Sequence, residues 1–182
     1  MKKVTIILLS IVLFGCSTTR YTTTMVSCTY NKKKNQTEYM VFPYGYVNIT
    51  GNWERKKYNQ VSRQQFFENS DGIIISIALG QCNKFEFNAD GSKKGYDFVQ
   101  TFYNWEKDYF SKTYGLSAIE IEKDESNSCL IWQLFGNYND TEWNTYFLSV
   151  EKNGIFKNFS VQTTDKWTSE QKIDFLKQLY FQ

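Results

Sequence analysis

Residues 143–161 read WNTYFLSVEKNGIFKNFSV, two apolar stretches joined by Asn153-Gly154. An Asn-Gly pair between two such stretches is a strong hairpin signal, because both residues accept the positive φ of a tight type I′ turn. Turn residues elsewhere divide the neighbouring sequence in the same way. Together these patterns predict a four-strand meander over 118–122, 129–135, 143–150 and 155–161.

The region upstream of the meander predicts more strands. A short strand is expected over 46–50, and residues 58–68 are expected to be extended. In residues 73–79 the odd positions place Ile73, Ile75 and Ile77 on one face, and the even positions are also mainly apolar. Apolar residues on both faces are typical of a central strand that is covered on both sides.

Two helices complete the pattern. Apolar residues at helical spacing predict a long helix over 93–114, which Gly115 ends in the left-handed conformation. Thr168 and Gln171 form a capping-box pair that opens a C-terminal helix. The predicted fold class is therefore α+β, a mostly antiparallel sheet of about six or seven strands with a long central helix and a C-terminal helix.

The N-terminus carries a targeting signal. A basic start at Lys2 and Lys3 precedes the apolar run 4–14, which is too short to span a membrane. The following Leu13-Phe14-Gly15-Cys16 resembles the lipobox of bacterial lipoproteins, in which the Cys is diacylated, the signal is cut before it, and the new N-terminus is acylated. An ordinary secretory signal with an incidental Cys is the alternative.

These features divide the chain into a signal peptide (1–15), the lipidated Cys16 with a polar tether (16–37), and one α/β domain (38–182). By the same resemblance, Ser17 after the acylated Cys favours the outer membrane over retention at the inner membrane. We therefore expect a lipid-anchored protein of the cell envelope that faces the periplasm. The lipid is the only membrane attachment that the sequence predicts.

Charge and composition argue against several function classes. Removal of Lys2 and Lys3 with the signal reduces the 21 basic side chains to 19, which match the 19 acidic ones. A neutral surface disfavours nucleic acid as a partner. The chain has no His, phosphate-binding loop or nucleophile motif, so we expect no catalysis, no cofactor and no metal site.

The order of elements over residues 44–182 resembles the Mog1/PsbP-like family of α/β/α sandwiches. The matching features are Gly51-Asn52-Trp53 after the first strand, Phe85-Glu86-Phe87 before the long helix, and Asn153-Gly154 before the last strand. The family includes assembly factors and partner-binding subunits. The resemblance implies an interaction role and carries no catalytic residues over.

Three cysteines remain beside Cys16. Cys129 falls in an apolar strand pattern and is predicted to be a buried thiol. Cys28 and Cys82 fall at segment ends, and they are the pair we expect if a disulfide forms in the envelope.

Trp53 and Trp143 are the candidate binding residues. Trp53 lies in a turn and Trp143 lies at the start of a strand, so both are expected to be exposed. Indoles anchor many protein interfaces. We therefore expect an envelope protein as the partner. The alternative is a small ligand or a glycan bound by exposed aromatic residues.

Overall fold

The computed structural model describes residues 24–181. The predicted signal peptide, the predicted acylation at Cys16 and the start of the predicted tether lie outside these residues. In the described part of the chain, neither helix is long and apolar enough to cross a membrane.

Ten strands and two helices make up the described chain. The strands are β1 (Met25–Asn31), β2 (Gln36–Phe42), β3 (Gly45–Thr50), β4 (Trp53–Asn59), β5 (Gln64–Asn69), β6 (Ile74–Gln81), β7 (Ser117–Asp124), β8 (Cys129–Tyr138), β9 (Thr141–Lys152) and β10 (Ile155–Val161). The helices are α1 (Gly95–Tyr114) and α2 (Ser169–Tyr180), and two short 3-10 turns precede α1 over Cys82–Lys84 and Glu86–Asn88.

The strands form two antiparallel sheets. The small sheet has the order β1-β2-β3, and the large sheet has the order β4-β5-β6-β10-β9-β8-β7. β6 is an interior strand that pairs with β5 and β10, as its apolar faces predict. The α+β class, the antiparallel sheet and the two helices are confirmed.

The large sheet lies in the middle of the molecule. One of its faces packs against the small sheet and α2, and this cluster includes Phe67, Leu148 and Leu176. The opposite face packs against α1 and the 3-10 turns. There the rings of Trp132 and Phe147 stack with centroids 4.1 Å apart.

Local signals in the sequence set the helix ends. α1 ends at Gly115, whose φ of 68° is left-handed, and the next N–H, that of Leu116, donates back to the Phe110 carbonyl. α2 begins with the predicted capping box, in which the side chains of Thr168 and Gln171 each accept from the other's backbone N–H. Both predictions are confirmed.

The hairpin between β9 and β10 is also confirmed. Asn153 and Gly154 have φ values of 55° and 79°, as a type I′ turn requires. The buried carboxylate of Glu151 accepts hydrogen bonds from the N–H groups of Gly154 and Gly95. This side chain therefore joins the hairpin to the first residue of α1.

Two predictions about the first third of the chain are wrong. The tether predicted over 16–37 ends at the latest at residue 24, because Met25–Asn31 is a strand and β2 begins at Gln36. The domain therefore includes residues assigned to the tether. Residues 58–68 are not one extended segment, since they cross a turn between β4 and β5.

Candidate functional site

Trp53 is not an exposed anchor. It is the first residue of β4, its exposed fraction is 5%, and its indole N–H donates to the Thr50 carbonyl over 2.8 Å. The ring packs against Trp167 and Phe175, with centroids 6.4 and 5.5 Å away. The predicted exposure is wrong, because the pleat of β4 directs this side chain towards α2.

Trp143 lies at the molecular surface on the other side of the large sheet. It is half-buried near the start of β9, where its ring contacts those of Phe110 and Tyr114 at the end of α1. The Tyr114 ring is nearly parallel to it, with an interplanar angle of 24°. The end of α1 therefore supports the indole, and the residue remains partly accessible.

Trp143 belongs to a larger group of accessible rings along α1. Tyr114 also packs against Tyr138, with centroids 4.9 Å apart, and its hydroxyl lies 3.4 Å from that of Tyr109. One turn earlier, Trp105 packs against Phe87 at 5.8 Å. We call this group the aromatic strip: Phe87, Trp105, Tyr109, Tyr114, Tyr138 and Trp143.

An open depression of about 530 Å³ lies beside the strip. Phe87, Trp105 and Tyr109 supply its aromatic lining. Its polar lining comes from Thr101, Asn104, Lys107, Asp108 and Lys112. A rigid aromatic lining beside mixed polar groups is the usual composition of a recognition surface, since aromatic rings contribute contact area and polar groups contribute specificity.

Trp105 is held in place by the turn before α1. Its indole N–H donates to the Glu86 carboxylate over 2.9 Å, and its ring also contacts Phe85 and Phe102. Trp53, and not Trp105, was the binding residue expected from the sequence. The signal that was present is Phe85-Glu86-Phe87, which places two rings and an acceptor next to α1.

Glu106 is the unusual titratable group of this region. It lies one turn after Phe102 and one turn before Phe110, in the stripe of α1 that faces the sheet. Its carboxylate has no ion-pair or hydrogen-bond partner among residues 24–181. Burial raises its pKa from 4.5 to about 7, because the apolar surroundings disfavour the charged form.

The three described cysteines are free thiols. Cys28 packs in the cluster between the two sheets, whereas Cys82 lies in the cluster beneath α1. The large sheet separates the two residues, so the expected Cys28–Cys82 pairing is wrong. Burial raises the pKa of Cys82 to about 12, helped by the nearby Glu151 carboxylate, and burial raises that of Cys129 to about 12 as well.

The two glutamates of β7, Glu120 and Glu122, each bind a neighbouring side chain. Glu120 accepts a hydrogen bond from Gln100, and Glu122 pairs with Lys177 at 2.7 Å. A register shift in β7 separates these two glutamates. Residues 24–181 contain no group of three or more His, Cys, Asp or Glu side chains placed to hold a metal ion.

Comparison with known proteins identifies no family. No family model matches the chain, and no curated protein matches it. Among solved structures, the chain is similar to the solution structure of cyanobacterial PsbP (CyanoP) from Synechocystis sp. PCC 6803, with 13% identity. That similarity covers 84% of this chain and 88% of the other, with a TM-score of 0.45. A similarity of this size assigns neither a family nor a function.

Proposed function

We propose that this chain is a lipid-anchored protein of the cell envelope that binds a protein partner through the aromatic strip. The lipid would be attached at Cys16, and residues 1–15 would be removed. The proposed location is the outer membrane, facing the periplasm, on the resemblance of Leu13-Phe14-Gly15-Cys16 to a lipobox.

The observation that carries the proposal is the clustering of accessible Trp and Tyr rings on one face. Trp and Tyr are enriched among the residues that dominate interface energetics, because they bury a large area with few rotatable bonds. In the strip, Tyr109 is 47% exposed and Tyr138 is 37% exposed, while Trp105 and Trp143 are half-buried. Half-buried rings are already ordered, so binding them costs little further entropy.

The position of the strip also supports this function. The described chain begins in the small sheet, on one side of the large sheet. α1 and the strip lie on the opposite side. A chain that is anchored ahead of β1 can therefore present the strip to another molecule without obstruction from its own anchor.

We propose binding without turnover. The described thiols have raised pKa values, as stated above for Cys82 and Cys129, and a thiol that stays protonated is a poor nucleophile. Glu106 has a pKa suited to proton transfer, but no second titratable side chain is paired with it among residues 24–181.

Photo-crosslinking in cells tests the proposed function. Tyr109 is replaced with benzoylphenylalanine, a larger aromatic residue that crosslinks on illumination, and Val61 receives the same replacement as a control. Val61 is 95% exposed on the turn between β4 and β5, far along the sheet order from the strands under α1. We expect one discrete protein adduct from position 109 and none from position 61. Equal adducts from both positions, or none from either, would contradict the proposal.

The glycan alternative gives a different outcome of the same experiment. Aromatic rings beside Asn104 and Thr101 could stack on a sugar ring and bond its hydroxyls. In that case position 109 would give no protein adduct, and oligosaccharide titration would quench the fluorescence of Trp105. The proposed anchor is checked separately by the mass of the acylated Cys16 peptide.

A further inference from the structure

The outer face of the small sheet carries an apolar patch at one end. Met25 pairs with Phe42, and Met40 pairs with Tyr46 on one side and with Ser27 on the other, so the four large side chains are neighbours, with the small Ser27 beside them, on the face that points away from the large sheet. Their exposed fractions are 61%, 56%, 40% and 68%. We call them the sheet patch. Large apolar side chains that cluster on an exposed face mark a site of contact with a membrane or with another molecule.

The other end of the same face is polar. Moving along the sheet away from the patch, the next outward row is Thr29, Glu38 and Asn48, and the row after it is Asn31, Gln36 and Thr50. Lys34 pairs with Glu38 near that end. The face therefore changes from uncharged and apolar to charged and polar along its length.

The apolar end is the end at which the chain enters the domain. Met25 is the first residue of β1, and only eight residues separate it from Cys16. An extended chain spans at most about 3.5 Å per residue, so an anchor on Cys16 holds Met25 within about 30 Å of the bilayer surface. The sheet patch lies around this attachment point.

We propose that the sheet patch rests in the headgroup region of the phospholipid bilayer that holds the anchor. The inference rests on the lipid anchor proposed above. Three observations favour the bilayer as the surface that covers the sheet patch. The predicted tether is short, the patch lies where the tether joins the domain, and the patch positions carry no charge. Met and Phe supply apolar contact, and Tyr46 suits the interface because one end of its side chain is apolar and the other is polar. The aromatic strip would then face away from the membrane.

The chain supplies its own probes for a test. Of its three methionines, Met1 would leave with the signal, so the mature protein keeps only Met25 and Met40, both in the patch. The acylated protein, with ¹³C-labelled methionine methyl groups, is placed in nanodiscs of phosphatidylethanolamine and phosphatidylglycerol. Two samples are compared: in one the lipid headgroups carry a nitroxide, and in the other they do not. An Ile119→Met chain adds a control methyl on β7, at a site of comparable exposure to Met40 (44%).

We expect the nitroxide to abolish the signals of Met25 and Met40 while the signal at position 119 survives. Tyr46→Ser should restore much of the Met40 signal although the protein stays anchored. Equal attenuation of all three methyl signals, or no attenuation, would overturn the inference. Protection of Met25 and Met40 from a soluble paramagnet in a lipid-free Cys16→Ala dimer would also overturn it, since a second copy would then cover the patch.

The two proposals fail in distinguishable ways. A mature protein without acyl chains, as read by mass spectrometry, would overturn the anchor and this inference with it. An acylated protein whose methionine signals are unaffected by the nitroxide would overturn the membrane contact alone, and partner capture through the aromatic strip would be unchanged.

Discussion

The indole N–H of Trp105 donates a 2.9 Å hydrogen bond to the carboxylate of Glu86. This contact connects α1 to the 3-10 turn that precedes it, and it fixes the indole beside Phe87. The aromatic strip therefore has one end held by a polar contact and the other end held by the stacking of Tyr114 on Trp143. A surface that is ordered before binding loses little entropy on contact with a partner.

Gly154→Val should destabilise the domain through backbone strain alone. Gly154 has a φ of 79°, and a Cβ there would meet no atom within 4 Å, so crowding plays no part. We expect the free energy of unfolding to fall by about 1–3 kcal/mol. Gly80→Val is the matched control, because Gly80 lies in β6 with equal space and without a positive φ. Equal losses in both variants, measured by urea denaturation, would contradict this explanation.

Trp53→Ala should destabilise the fold rather than affect binding. The ring is buried against Trp167 and Phe175, so its removal leaves a cavity between β4 and α2. Truncation of a buried Trp costs about 3–5 kcal/mol. Val61→Ala, at an exposed turn, should change the unfolding free energy by less than about 0.5 kcal/mol. A stable Trp53→Ala protein with weakened partner capture would reverse the assignment of this residue.

Glu106 predicts a specific pH dependence of stability. Its pKa rises from 4.5 to about 7 on folding, so the folded state binds this proton more tightly than the unfolded state does. The contribution of the protonated Glu106 to the free energy of unfolding is complete below pH 4.5 and is lost as the pH rises towards 7. Glu106→Gln should therefore stabilise the protein above pH 7 and flatten the pH profile.

Asp174→Asn serves as the control for that measurement, since Asp174 is an exposed acidic residue of α2. Denaturation curves across this pH range should show no such flattening for it. If the stability of Glu106→Gln depends on pH in the same way as that of the unmodified protein, burial does not raise the pKa of the Glu106 carboxyl.

The cysteines should behave as independent thiols. Cys82 and Cys129 are buried, with pKa values raised to about 12, so neither should react with iodoacetamide at neutral pH until the domain unfolds. Reductant should leave the unfolding free energy unchanged, because the structure contains no disulfide among its described cysteines. Peptide mapping without reductant checks this, and a linked Cys28–Cys82 peptide would contradict the structure.

The parts of the fold that were predictable from the sequence are determined by neighbouring residues. The turn at Asn153-Gly154, the stop at Gly115 and the cap at Thr168 each depend on residues within a few positions, and all three are confirmed. β1 was missed because its side chains are mostly polar or small, with Ser27 and Thr29 outward, and a strand at a sheet edge needs little apolar character.

The candidate site was harder to predict because exposure depends on distant packing. Trp53 is buried by α2, more than 100 residues later in the chain, and nothing near it in sequence indicates that contact. Trp105 lies at the border of the sheet-facing stripe of α1, where helical spacing does not separate buried from accessible positions. Trp143 was expected to be exposed and is half-buried, because Phe110 and Tyr114 at the end of α1 pack against its ring.

The central claim is that the aromatic strip binds a protein partner, and its most direct test is the affinity for the protein captured through position 109. The unmodified domain is compared with Trp105→Ala and Trp143→Ala, and Tyr58→Ala serves as a control on β4, where Tyr58 is 43% exposed. We predict that at least one strip variant loses about 2 kcal/mol of binding free energy, roughly thirtyfold in Kd, with the fold intact and the control unchanged. Unchanged affinity in both folded strip variants would contradict the claim.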